Sequence, residues 1–131
     1  PSPELVETYR SAGGTGPRYA EMSVAWASNA DDAADAALRT NRWGVTGWKV
    51  MSELPNPVNF AAATETVRRE DMPENSVCGS EPEAYLDLAR THADAGYDHL
   101  VFMNAGPDPD GFVSFFRTEL LESLRALPTS G

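Results

Sequence analysis

The sequence predicts an α/β protein in which short buried strands lead through loops into helices. Residues His99–Met103 form a short apolar run between Gly96, which ends a helix, and the polar loop Asn104–Asp110. Such a run between turn signals is typical of a buried parallel strand. The partly alternating segment Arg18–Ala27 predicts a second strand. Each strand precedes a predicted helix.

Composition restricts the classes of partner. The 131 residues, 41% of them hydrophobic, are enough for one domain with a core. A net charge of −10 repels phosphate backbones and anionic lipid, so we expect neither nucleic acid nor a membrane as partner. No apolar run approaches the roughly 18 residues of a membrane span. The single cysteine, Cys78, allows no disulfide within the chain and fits a cytoplasmic protein.

Two helices flank the first strand. A short helix is predicted at Pro3–Ser11. After the strand, Ser28 or Asn29 can cap a second helix at about Ala30–Arg42, with acidic residues in its first turn and arginines near its end. Gly44 is predicted to end this helix.

The middle of the chain is less regular. Val45–Pro55 contains valines, glycine and proline in no clear period, and we expect an irregular segment. Asn56 is predicted to cap a helix that runs from Pro57 to about Arg69. Glu70–Asn75 is predicted to be a polar loop and Ser76–Gly79 a very short extended piece.

Two further helices complete the pattern. Ser80 and Glu83 form the sequence of a capping box ahead of a helix at Glu81–Asp94. Asp110 is predicted to cap the last helix, Gly111–Leu127, whose apolar residues follow helical spacing. The aromatic residues of that stripe are predicted to be core residues: Phe112, Phe115 and Phe116.

Two strands with four or five helices are too little sheet for a doubly wound fold, because parallel sheets are covered on both faces. They match the last quarter of an eight-stranded barrel, which takes about 250 residues. We therefore expect residues 1–131 to be the C-terminal portion of a larger (β/α)8 barrel.

Three segments in collinear order carry a resemblance. They are PRYAEMSVAWA, SELPNPVNF and the run from CGSEPE to LESLRAL. Together they resemble the C-terminal end of the luciferase-like flavin and deazaflavin oxidoreductases. The group most similar is the deazaflavin-dependent one named after glucose-6-phosphate dehydrogenase. The resemblance covers about Leu5–Leu127.

The resemblance implies that Arg18–Ala27 is strand seven and His99–Met103 strand eight of a barrel. Ala30–Arg69 would be an insertion after strand seven, and Gly111–Leu127 the closing helix. The family transfers a hydride to or from coenzyme F420, a deazaflavin, and relatives use FMN and oxygen. The coenzyme lies across the C-terminal mouth of the barrel, which is the general place for barrel sites.

The same resemblance implies partners. The N-terminal barrel portion would carry most coenzyme ligands and the proton-transfer groups, so no catalytic or cofactor-binding position is assigned in this chain. We expect a small organic substrate, no metal, and a homodimer of the complete protein. Alternatives are an FMN-dependent monooxygenase, an inactive truncated fragment and an acidic binding module of unrelated fold.

A phosphate clamp is one property of the group that this sequence lacks. The sugar-phosphate dehydrogenases hold the phosphate with a lysine in the insertion and an arginine before the penultimate helix. These positions fall at Met51 and Asn75, and Lys49 lies close to the first. We therefore expect that glucose 6-phosphate is not the substrate.

Further pocket residues are predicted by their place at strand ends. Trp26 and Asn104 end the two strands and are candidates for the pocket wall, with a packing tryptophan and a turn-forming asparagine as the alternative. Trp48 and Trp43 flank glycines and could cover the pocket, lie at a subunit contact, where tryptophan is enriched, or belong to the core. Structural roles are expected for the remaining polar candidates: His92, His99, Cys78, Asp108 and Asp110.

Overall fold

A computed structural model describes residues 1–128 of the chain, and its elements follow one another in α/β order. The α-helices are Pro3–Ser11 (α1), Ala30–Asn41 (α2), Trp48–Met51 (α3), Pro57–Ala63 (α4), Pro82–Asp94 (α5), Pro109–Phe115 (α6) and Leu121–Arg125 (α7). The strands are Tyr19–Ala25 (β1), Val77–Cys78 (β2) and His99–Asn104 (β3). Short 3-10 helices at Arg42–Thr46 and Arg69–Glu74 and a π-helical turn at Phe116–Leu120 complete the order.

The sheet has the strand order β2-β1-β3. The Arg18 carbonyl accepts from the His99 N–H (3.1 Å), and the Val24 carbonyl accepts from the Ala105 N–H (2.8 Å). The second bond lies further along the chain than the first on both strands. β1 and β3 are therefore neighbours and parallel, as the barrel interpretation requires. The described residues thus form part of a parallel sheet, and the α/β fold class is confirmed.

The predicted extended piece contains the third strand of the sheet, β2. Its two residues pair in parallel with the end of β1, in the register Val24↔Val77 and Ala25↔Cys78. The sequence indicated an extended segment at Ser76–Gly79 but not its partner, because two residues carry no periodicity.

Two predicted asparagine caps are confirmed. The Asn29 side-chain oxygen accepts from the Asp32 N–H at 2.9 Å, ahead of α2. The Asn56 side-chain oxygen accepts from the N–H groups of Val58 and Asn59, ahead of α4. Each bond satisfies an N–H that the first helical turn leaves without a partner.

The prediction that Gly44 ends the second helix is wrong. The chain continues past Asn41 as a 3-10 helix, Arg42–Thr46, and turns at Gly47. Gly47 has φ of +72°, a conformation that glycine adopts without steric cost, whereas Gly44 stays within the helical turn. The segment predicted to be irregular then contains the single turn α3.

The predicted helix from Pro57 to Arg69 is too long. It ends at Ala63, where the buried Thr64 hydroxyl donates to the Phe60 carbonyl at 2.8 Å. The predicted polar loop at Glu70–Asn75 is also wrong, because Arg69–Glu74 is a 3-10 helix. Its Met72 is fully buried, and this one apolar residue orders an otherwise polar segment.

The Ser80–Glu83 capping box is not formed. α5 begins at Pro82, and the Ser80 hydroxyl donates instead to the Ser28 carbonyl (3.4 Å). Glu83 accepts from the Arg90 guanidinium at 2.6 Å, so its carboxylate does not turn back toward the helix start.

The last predicted helix starts two residues early and is interrupted. α6 begins at Pro109, and Asp108 rather than Asp110 accepts from the Gly111 N–H, at 2.9 Å. The helix then widens into a π-turn before α7.

One compact unit comprises Pro1–Met22, Glu81–Met103 and the chain from Val113 onward. Its core is aromatic: the ring of buried Tyr85 lies 5.2 Å from that of Phe115 and 6.2 Å from that of Phe102. Gly96 ends α5 at φ +97°, where a Cβ would approach Val6 to 2.9 Å.

The opposite face of the strands in this unit is uncovered. Tyr19 is 60% exposed, and Val101 and Met103 are each 42% exposed. Parallel strands are normally covered on both faces, and in a barrel every second side chain points to the packed interior. In the described part of the chain this face therefore lacks the packing that barrel strands normally have.

The second compact unit comprises Ser23–Ser80 and Asn104–Phe112. Its core consists mainly of alanines packed around Met72. Small side chains let helix and strand approach closely, as at Gly79, where a Cβ would lie 3.4 Å from the Cα of Ala30. The core members are Ala25, Ala27, Ala33, Ala34, Ala37 and Met72.

An ion pair holds the beginnings of β1 and β3 together. Asp98 accepts from Arg18 Nε (2.9 Å), Nη2 (2.6 Å) and the Arg18 backbone N–H (2.9 Å), and it bonds His99 Nδ1 at 2.5 Å. The hydrogen bond from His99, followed by those from Arg18, lowers the pKa of the Asp98 carboxyl far below its ordinary value.

We expect Asp98→Asn to lower the free energy of unfolding by about 1–2 kcal/mol at pH 7. This loss is smaller than that for a fully buried charged group, because the Asp98 side chain is partly exposed to solvent. Because the folded-state pKa of Asp98 is lowered, its contribution is present above about pH 4, the unfolded value, and fades as the pH falls below it. Urea unfolding of the protein at several pH values measures this.

The control is Asp94→Asn, which removes an exposed carboxylate at the end of α5 and should change stability by less than about 0.5 kcal/mol. A loss for Asp98→Asn that is equal at pH 7 and pH 2.5 would contradict this role of the carboxylate.

Candidate functional site

A cleft of about 290 Å³ lies in the second compact unit, beside the segments that follow β1 and β3. These are the carboxyl ends of two parallel strands, where α/β proteins place their sites. The cleft is lined by Trp26, Ala27, Ser28, Asp32, Asp35, Arg39, Pro107 and Asp108.

Asn104 fixes the shape of this region. Its side-chain oxygen accepts from the Trp26 N–H and from the Gly106 N–H, both at 2.9 Å. The residue that ends β3 is thereby joined to the residue that follows β1. Of the predicted pocket residues, Trp26 and Asn104 are thus brought together, Trp26 as a cleft wall and Asn104 as the residue that shapes the turn.

Two glycines that no sequence motif indicates make this geometry feasible. A Cβ on Gly106 would lie 2.0 Å from the Trp26 carbonyl oxygen, and one on Gly111 would lie 2.5 Å from the Trp26 indole. Neither glycine has a positive φ. The requirement is close approach, which spacing in a single sequence does not reveal.

The cleft is acidic. Asp32 accepts from the Asn29 side-chain N–H at 2.7 Å, and the Asp35 carboxylate lies 3.9 Å from Arg69 Nε. Asp108 caps α6, and Arg39 supplies the one cationic side chain among the lining residues. Three carboxylates with one guanidinium favour hydrogen-bond donors over a phosphate dianion.

Three predicted pocket residues lie together elsewhere. Trp48, Lys49 and Met51 belong to the single turn α3. Trp48 is 76% exposed, Lys49 is exposed and Met51 is half-buried. They do not line the cleft, and their place in a substrate pocket stays a prediction.

Asn75, the other position of the missing phosphate clamp, follows the 3-10 helix Arg69–Glu74. It is exposed, and its side-chain N–H donates to the Asp71 carbonyl at 3.1 Å. It does not line the cleft either.

The remaining polar candidates have local contacts. His92 is buried, with Nδ1 2.8 Å from the Leu88 carbonyl. Cys78 packs against the alanine core, and burial raises the pKa of its thiol. Within residues 1–128, no group of three histidine, cysteine or acidic side chains is placed to hold a metal ion. None of the helices in that range has the length and apolar character to cross a membrane.

The volume of the cleft, about 290 Å³, is just below the roughly 300–1,000 Å³ range of ligand sites. The cleft can form an edge of a cofactor site but not enclose a coenzyme. Its tryptophan wall and hydrogen-bond acceptors fit the side of a bound ring or a substrate hydroxyl.

No family model matches the chain. The F420-dependent glucose-6-phosphate dehydrogenase of Rhodococcus erythropolis is 29% identical over 104 residues, covering 74% of this chain and 30% of that protein. The enzyme of the same name from Rhodococcus hoagii is 30% identical over 98 residues, covering 73% of this chain and 29% of that protein. The chain thus spans about 30% of the length of these curated relatives.

A solved structure shares the fold. It is an F420-dependent secondary alcohol dehydrogenase in complex with an F420-acetone adduct, matched with a TM-score of 0.72 at 20% identity. The match covers 94% of this chain and 38% of that one. Sequence and fold agree with the resemblance inferred above: the chain is similar to the C-terminal portion of F420-dependent, luciferase-like barrel enzymes.

Proposed function

We propose that the chain forms the C-terminal part of a coenzyme F420-dependent oxidoreductase, which transfers a hydride between the deazaflavin and a small organic substrate. One observation carries the proposal. The fold over 94% of the chain matches an enzyme whose solved structure holds an F420-acetone adduct, and the cleft lies at the carboxyl ends of the parallel strands.

The proposal includes an N-terminal barrel portion that completes the site. The exposed side chains of Tyr19, Val101 and Met103 support it, because barrel strands bury this face. The relatives are about three times as long as the matched region. The chain alone is then inactive, since it would lack most of the groups that hold the coenzyme.

A homodimer of the complete protein is part of the same proposal. Trp43 is 40% and Trp48 76% exposed in the second compact unit, and tryptophan is enriched at protein interfaces.

The residues of this chain have positioning roles in the proposed reaction. When bound, the deazaflavin supplies the hydride chemistry. Trp26 forms an apolar wall that excludes water from one side of the cleft. Asn104 holds that wall in place through its bond to the Trp26 N–H. Asp32, Asp35 and Asp108 offer acceptors to a substrate hydroxyl at the cleft edge.

We propose an uncharged substrate, such as a small alcohol, rather than glucose 6-phosphate. The two clamp positions are occupied by Met51 and Asn75. Met51 is half-buried and apolar. The Asn75 side-chain N–H donates to the Asp71 carbonyl. Lys49 is exposed and two residues from the first position. Recognition of a phosphate dianion needs fixed cationic donors, and the cleft offers carboxylates instead.

We expect the protein that includes the barrel portion to bind coenzyme F420 more tightly than FMN, and residues 1–131 alone to bind neither measurably. Fluorescence titration of both proteins with each coenzyme measures this. Micromolar binding by residues 1–131 alone would show that the coenzyme site is misplaced, and tighter binding of FMN would favour the monooxygenase alternative.

We expect uncharged alcohols to give a higher kcat/KM than glucose 6-phosphate in steady-state reduction of the deazaflavin. The double substitution Met51→Lys with Asn75→Arg should raise kcat/KM for the sugar phosphate about tenfold or more, because each charge-assisted hydrogen bond contributes about 1.5–3 kcal/mol.

The matched control is Met51→Gln with Asn75→Gln, which changes size and polarity without adding charge and should give no gain. A wild-type kcat/KM for glucose 6-phosphate above that of every alcohol would overturn the substrate proposal. It would also make Lys49 the first residue to substitute.

A further inference from the structure

A second and larger cavity lies in the second compact unit, between α2 and α4. Its volume is about 680 Å³, within the range of small-molecule sites. It does not include Trp26 or Asn104 and is separate from the cleft, although Arg39 lines both. Its lining residues are Leu38, Arg39, Arg42, Trp43, Leu54, Pro55, Asn56, Pro57, Phe60, Ala61 and Thr64.

The walls of this cavity are mainly apolar and aromatic. Trp43 and Phe60 supply ring surfaces, and Leu38 and Leu54 supply branched aliphatic surfaces. The buried Thr64 hydroxyl donates to the Phe60 carbonyl at 2.8 Å, so this hydroxyl hydrogen does not donate to a ligand. A ligand here would bury a substantial apolar body.

The charged side chains at this cavity all have one sign. Arg39 and Arg42 are three residues apart, which places them on the same side of the helical segment. No aspartate or glutamate is among the lining residues. Across residues 1–128, neither guanidinium has an ion-pair partner within 4.0 Å.

This arrangement is unusual for so acidic a chain. The sequence has 20 acidic and 10 basic residues, yet two of the basic ones meet at one apolar cavity without an acidic partner. Guanidinium groups bind carboxylates through paired, planar hydrogen bonds. Charge complementarity therefore favours an anionic ligand, and the apolar walls favour a ligand with a hydrophobic body.

We propose that this cavity binds a small amphiphilic carboxylate, an aromatic or branched aliphatic acid. The carboxylate is held by Arg39 and Arg42, and the hydrophobic body lies against Trp43 and Phe60. This site is additional to the proposed oxidoreductase site and does not rest on it. Arg39 lines both the cavity and the cleft.

The probe pair is 4-phenylbutyrate and its uncharged amide, 4-phenylbutyramide, titrated calorimetrically into the complete protein without coenzyme. We expect the acid to bind about tenfold to a hundredfold more tightly than the amide, which corresponds to charge-assisted hydrogen bonding. Arg42→Gln should reduce binding of the acid about tenfold and leave the amide unchanged. Arg39→Gln with Arg42→Gln should abolish the preference.

Two controls make the outcome decisive. Arg117→Gln removes an exposed positive charge outside the cavity and should leave the preference intact. Ala61→Trp, at an exposed lining position of α4, should block binding of both probes.

Equal affinity for acid and amide would overturn the proposal, because it would show that the cavity binds apolar groups without preferring an anion. Absence of binding up to millimolar concentration would overturn it as well, and so would equal losses for Arg42→Gln and Arg117→Gln. These outcomes do not depend on whether the protein reduces a deazaflavin, since no coenzyme is present.

Discussion

The parallel pairing of β1 with β3 is fixed by side-chain hydrogen bonds at both ends of the two strands. At one end, Asp98 receives four hydrogen bonds from Arg18 and His99. At the other, the Asn104 side chain receives the N–H that follows β1. A parallel pair needs a crossover helix between its strands, and α5 lies in that stretch of chain. With both ends fixed, the residues after the two strands must emerge side by side, and the cleft forms there.

The sequence predicted the elements whose signals are local. Strand runs, the Asn29 and Asn56 caps and the first helix rest on residues within one turn or one strand of each other. Two local signals still failed, the Ser80–Glu83 capping box and the Asp110 cap, because other groups supply those contacts. Other failures depend on where the chain packs and turns. Met72 orders a polar segment by entering a core formed by other elements. Gly47 rather than Gly44 ends the helix because a positive φ is needed only where the chain turns.

For the site, spacing predicted which strand ends meet but not how. Strand pairing implies that Trp26 and Asn104 lie near each other, but not that the Asn104 side chain accepts from the Trp26 N–H. Gly106 is required by an approach of the backbone that only the fold reveals. Arginines three residues apart at a helix end indicate only a favourable interaction with the helix dipole. The cavity beside Arg39 and Arg42 depends on α4, which folds back from later in the chain.

Hydrogen exchange of the complete protein with and without coenzyme F420 tests whether the ends of β1 and β3 form part of the coenzyme site. In the proposed function, the coenzyme lies across the carboxyl ends of β1 and β3. Bound coenzyme should therefore slow amide exchange at residues 26–28 and at Ala105, Gly106 and Asp108, and leave the amides of Arg18 and Asp98, at the opposite strand ends, unchanged. Slowing at Arg18 and Asp98 without slowing at residues 26–28, Ala105, Gly106 and Asp108 would contradict this position of the coenzyme.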